Sequence, residues 1–75
     1  MRYVAMVTAA EVSQTILALG GQKLRQKGSH ARFGCACSRY RTTVPMHRGD
    51  LGVGLLKAIE KDLEPCFGQK WLLGG

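Results

Sequence analysis

Lys23-Leu24-Arg25-Gln26-Lys27-Gly28-Ser29-His30-Ala31-Arg32-Phe33 decides the reading of this chain. The residues alternate up to a Gly-Ser pair, and the alternation resumes from a histidine. Glycine first and serine second suit a two-residue type II′ hairpin turn, whose first position needs the positive φ that glycine takes without steric cost. Such a turn sets Lys27 opposite His30, Arg25 opposite Arg32 and Leu24 opposite Phe33. One face of the hairpin is then basic with a histidine at its tip, while Leu24 and Phe33 point to a core. The basic face reads as a phosphate-binding surface that carries a proton-transfer group.

The charge distribution around this stretch agrees. The 75 residues hold 11 Lys and Arg against 5 Asp and Glu. Lys23, Arg25, Lys27, Arg32, Arg39, Arg41 and Arg48 fall in one segment that contains no acid, whereas Glu60, Asp62 and Glu64 cluster near the C-terminus. Segregation of this kind marks a side that faces a polyanion. An ordinary solvated strand face would not exclude acids so completely.

Length and cysteine usage bound the class. Residues 1–75 read as a single domain with its core over about 8–65 and a tail, 66–75, of open role. At this size folding buries only about 60% of the unfolded surface, so a steadying partner is expected. No apolar run approaches the ~18 residues of a spanning helix, which argues against a membrane protein. The first ten residues lack the basic start, apolar stretch and cleavage site of a signal peptide. Three cysteines at uneven spacing fit reduced thiols and a cytoplasmic location better than a secreted disulfide scaffold.

Outside the hairpin, Met1 to Val7 has no clear period and reads as unstructured or a loose edge. Thr8-Ala9-Ala10-Glu11 is a capping-box pattern, followed by Val12, Ile16 and Leu19 at helical spacing and by Gly20-Gly21 as a stop. A third strand runs over Tyr40 to Met46, with Pro45 at an edge or at the strand's end. Placing Phe33 opposite Val44 also sets Ala31 opposite Met46 and His30 opposite His47; a two-residue slip either way keeps the same faces. After a loop with Gly49, Asp50, Gly52 and Gly54, a second helix carries Leu55, Leu56, Ile59 and Leu63 on one stripe and ends at Pro65. The Trp71-Leu72-Leu73 tail packs back, meets a partner or frays, and its sequence leaves these open. The order is helix, three antiparallel strands, helix: an α+β domain with two helices on one face of a three-stranded sheet.

Gly28-Ser29-His30 after a Lys/Arg-rich strand, then Thr43-Val44-Pro45-Met46-His47, then Leu55-Leu56-Lys57-Ala58-Ile59, resemble in order and spacing the HicA (YcfA-like) toxin family. The resemblance runs from about Thr8 to Leu63. It implies a double-stranded-RNA-binding-domain-like α-β-β-β-α fold, in agreement with the order above. It further implies cleavage of mRNA without a metal or other cofactor, dependence on His30, and neutralisation by a HicB-type antitoxin. That partnership leaves room for oligomers assembled through the antitoxin.

The residues suit this chemistry on their own terms. RNA cleavage needs a base for the 2′-hydroxyl proton, stabilisation of the phosphorane and an acid for the departing 5′-oxygen, and histidine side chains transfer protons near neutrality. Arg25, Lys27 and Arg32 are placed to hold the phosphate. Gly28 and Ser29 allow close backbone approach, and Lys23, Arg41 and His47 extend the RNA-binding surface. With His47 opposite His30 the two histidines divide base and acid roles; with a slip, or a ladder ended by Pro45, His47 is a loop histidine that contacts phosphate. A non-catalytic RNA-binding module and a basic domain for an acidic protein partner stay open as alternatives. Cys35, Cys37, His47 and Cys66 lack the two close pairs of a structural zinc site, and Cys35 reads as a small core residue.

Overall fold

Thr8 opens the first helix as its capping box requires. In the computed structural model, which describes residues 7–36, 39–46 and 49–74, the Glu11 N–H donates to the Thr8 hydroxyl at 3.2 Å, and the Thr8 N–H donates to the Glu11 carboxylate at 3.0 Å. Helix α1 then spans Ala9–Ala18 and buries Ala9, Val12, Ser13 and Ile16, one stripe at helical spacing. Leu19, expected on that stripe, is instead the C-cap residue and is 46% exposed.

Three strands follow: β2 over Gln22–Lys27, β3 over His30–Gly34 and β4 over Arg41–Pro45, in the spatial order β2-β3-β4 and antiparallel throughout. Helix α2, Val53–Phe67, buries Leu56, Ile59 and Leu63, while Leu55 stays on its exposed side. The helix stripes and the sheet face bearing Ala31, Phe33 and Val44 form one apolar cluster. The α-β-β-β-α order is the double-stranded-RNA-binding-domain-like arrangement expected from the sequence.

The hairpin register holds near the turn and changes beyond it. Lys27 opposes His30 and Arg25 opposes Arg32, as expected, but a β-bulge between Lys23 and Arg25 sets Lys23, not Leu24, opposite Phe33. Leu24 therefore leaves the core and is 38% exposed. Between β3 and β4 the two-residue slip prevails: Ala31 opposes Val44, Phe33 opposes Thr42, and His30 opposes Pro45 rather than His47. Packing explains the choice. The slip sets small Ala31 beside Val44 and gives Phe33 the buried Thr42, whose hydroxyl donates to the Asp62 carboxylate of α2 at 2.9 Å. His47 itself lies outside the described residues.

Pro45 costs the ladder nothing. Met46 N–H bonds to the Ser29 carbonyl and Cys35 N–H to the Tyr40 carbonyl. The alternation between them makes His30–Pro45 a non-hydrogen-bonded pair on an edge strand, where a proline is tolerated.

Two features have no counterpart in the sequence pattern. A two-residue strand β1, Val7–Thr8, pairs with β5, Asp50–Leu51, and buries Val7 and Leu51. Pro65 does not end α2. It lacks the N–H that would bond to the Lys61 carbonyl, yet the helix runs on to Phe67, and Gly68 N–H donates to Glu64 O at 2.8 Å. The tail folds back over this last turn. Trp71 meets Phe67 edge to face at 5.2 Å, its indole N–H donates to Glu60 O at 2.6 Å, and the Glu60 carboxylate accepts from Leu72 N–H at 3.1 Å and Leu73 N–H at 2.7 Å. Of the three fates open to the tail, packing back is the one adopted.

Gly21, just past α1, has no room for a side chain between Ile16 of the helix and Gly34 of β3. A Cβ there would lie 2.5 Å from Ile16 Cγ2 and 2.8 Å from Gly34 O. Gly21→Ala is expected to cost about 1–3 kcal/mol through overpacking. Gly54→Ala, in α2 with nothing within 4 Å, should be neutral or stabilise by about 0.5–1 kcal/mol. Urea denaturation of the two variants checks the contrast.

Candidate functional site

The alternation of β3 that buries Ala31 and Phe33 turns His30 and Arg32 outward. Cross-strand pairing adds a partner from each side: Lys27 and Pro45 flank His30, and Arg25 and Thr43 flank Arg32. One step further along, Arg41 lies opposite Gly34. These outward rows line an open groove of about 520 Å³, formed by Leu24, Arg25, Lys27, His30, Arg32, Arg41 and Thr43. None of the five acids lines it; Glu11, Glu60, Asp62 and Glu64 sit on the helices and Asp50 on β5.

The groove's histidine stands on a fixed turn. Gly28 has φ +59, and Ser29 does not share the positive φ, which fits the type II′ turn expected from Gly-Ser. Two hydrogen bonds hold the turn's carbonyls: the Gln26 amide donates to Gly28 O at 3.0 Å, and Met46 N–H donates to Ser29 O. Within the groove, the Arg32 guanidinium donates to the Thr43 hydroxyl at 3.3 Å, which orients it along the β3–β4 row.

The sequence-derived residues are thus divided. His30, Arg25, Lys27, Arg32 and Arg41 come together, with Gly28 and Ser29 at the adjoining turn. Lys23 does not join them: the bulge pairs it with Phe33, and its ammonium donates to the side-chain amide oxygen of Gln26. His47 lies outside the described residues. Leu24 and Thr43 complete the lining, and neither belongs to the set drawn from the sequence. Thr43 is legible there, since it alternates with Thr42 and Val44, but no dipeptide signals the bulge that exposes Leu24.

Cys35 is buried, as a small core residue, and Cys66 is half-buried. Among the described residues no three His, Cys, Asp or Glu side chains converge as metal ligands. No helix among them is long and apolar enough to cross a membrane.

Residues 9–64 match the model of a protein family described as the HicA toxin of bacterial toxin–antitoxin pairs. The chain belongs to the HicA toxin family. The match starts at the first residue of α1, contains the whole groove and stops just before Pro65. As a HicA toxin, the chain is the toxin component of a toxin–antitoxin system. No curated protein and no solved structure gives a significant match.

The turn supplies a test of how this toxin holds its histidine. Nothing lies within 4 Å of a Cβ placed on Gly28, so a side chain there meets backbone strain and no clash. Gly28→Ala should lose about 1–3 kcal/mol in urea denaturation.

Proposed function

We propose that this HicA toxin is an endoribonuclease that cuts mRNA, with His30 as its proton-transfer residue and a HicB-type antitoxin as its neutralising partner. The observation that carries this reading is the groove, where His30 stands among Arg25, Lys27, Arg32 and Arg41 with no carboxylate. A concave wall of one charge draws in a polyanion and strengthens each phosphate interaction. Arginine adds geometry, because its planar fork can donate two parallel hydrogen bonds to one phosphate.

The chemistry runs through the RNA's own 2′-hydroxyl. His30 takes the hydroxyl proton as the 2′-oxygen attacks the adjacent phosphorus. The bond from phosphorus to the 5′-oxygen then breaks, and that oxygen leaves with a proton from water in the open groove. The products are a 2′,3′-cyclic phosphate and a 5′-hydroxyl, and DNA, lacking the nucleophile, resists. Arg25 and Arg32, one row from His30, meet the charge that builds on the phosphorane oxygens. Lys27 and Arg41 hold the flanking phosphates. The exposed Gly28-Ser29 turn lets the RNA approach closely, and the Ser29 hydroxyl is available to a phosphate oxygen. His47, two residues past the Pro45 that opposes His30, adds a further hold on phosphate. The groove's side chains are guanidiniums, an ammonium, a hydroxyl, one imidazole and a leucine, a set suited to a route that needs no metal.

His30 is exposed, so replacing it leaves the core intact. His30→Ala should lower cleavage of a model mRNA by about 10²–10⁴-fold in chelator-containing buffer while thermal unfolding is unchanged. Undiminished cleavage removes the assignment, and binding without cleavage by the wild type leaves an RNA-binding module. Charge reversal at Arg25 or Arg32 should weaken RNA binding and lower the slope of log K against log salt by about one for each phosphate no longer neutralised. Titrations at several salt concentrations measure it.

A further inference from the structure

We propose that the Leu24 end of the groove is a nucleobase subsite, which makes the substrate single-stranded RNA carrying an unpaired base near the scissile phosphate. The proposal rests on the RNA reading of the groove and adds to it what that reading lacks, an interaction with something other than phosphate.

Leu24 is the one wholly apolar side chain in the groove lining. Its position follows from the β-bulge between Lys23 and Arg25, which breaks the alternation that would have sent it to the core. A bulge of this kind re-aims a side chain, and bulges are enriched beside functional sites. Its leucine is not merely left over at the surface. A Cβ built on Gly34 would lie 3.1 Å from Leu24 Cδ1 and 3.5 Å from its Cγ, so the side chain lies across the bare backbone of Gly34. A side chain at position 34 would press on the leucine, because its Cβ alone would already be in close contact. The result is a low apolar platform on β2 and β3, bordered by Arg25 and, opposite Gly34, by Arg41.

A platform framed by two guanidiniums suits a nucleobase. The base lays a face on the leucine, and the guanidinium planes are available to stack on it or to hold the flanking phosphates. A base paired in a duplex keeps its faces inside the stack, so only an unpaired nucleotide can use the subsite. The separation also fits. Four residue steps of β3 take the chain from the His30 row to the Gly34 row, about 13 Å along the strand, which places the base about two nucleotides along from the reacting phosphate. The surrounding charge favours RNA over an apolar protein partner, because the lining holds three arginines and a lysine and no acid.

Binding can be read without cleavage on oligonucleotides whose 2′-oxygens are methylated. Fluorescence anisotropy compares a single-stranded oligonucleotide, its abasic counterpart and a duplex, with wild type, Leu24→Ala and Leu24→Phe. The wild type should bind the base-containing strand about fivefold more tightly than the abasic one, the scale set by covering part of one apolar side chain. Leu24→Ala should lose that preference with an unchanged salt slope, and Leu24→Phe should keep or strengthen it. If Leu24→Ala retains the full preference, or the duplex binds as well as the single strand, the subsite is overturned and Leu24 is left as a docking point for a protein partner. If none of the three nucleic acids binds, the RNA reading itself fails, and that outcome is distinct from a lost base preference.

Discussion

The burial of Phe33 and Ala31 is the constraint on which the other parts depend. Both side chains are almost wholly shielded on β3, and successive residues of a strand face opposite ways. His30 and Arg32 consequently cannot point anywhere but outward. A one-residue slip would exchange the two sets. It would expose a phenylalanine whose deletion alone costs about 3–5 kcal/mol, and it would bury a guanidinium at several kcal/mol more. The core and the groove are two sides of one strand, and the apolar side fixes the polar one.

This is also why so much is legible in the sequence. The Gly28-Ser29 turn, the Thr8–Glu11 cap and the inward alternation of β3 are local patterns with local causes, and each reappears in the structure. The groove's cations follow from the same alternation. What the sequence conceals depends on partners distant along the chain. The slip of β4 answers to Thr42 and its bond to Asp62 on α2. The bulge at Leu24 has no signature in residue type. The β1–β5 pair has only two residues in each strand, too few to show a period. Pro65 reads as a stop because spacing alone does not reveal the tail that packs over the following turn.

The two faces of the sheet carry different kinds of work. The helical side holds four of the five acids and closes the core with hydrogen bonds such as Thr42–Asp62 and those of Glu60 to the tail. The open side holds the arginines and the histidine with no acid in the lining. Like charges gathered on one wall repel one another, and the strands tolerate this because the groove is open to water, where such repulsion is weak. Membership of the HicA family extends over both sides, so scaffold and groove belong to the same matched unit.

The outer edge of β2 has a consequence beyond the groove. All six of its residues are exposed, and among the described residues no strand lies beyond it, the situation in which a sheet recruits another chain and aggregates. Natural sheets prevent such growth with charged edge residues and bulges, and β2 has both: Lys23, Arg25 and Lys27, and the kink at Leu24. Arg25 and Lys27, which line the groove, are thus also charges of the kind that discourage strand pairing at a sheet edge. A neutral substitution at Arg25 or Lys27 would change the charge of the groove wall and the protection of the edge at once.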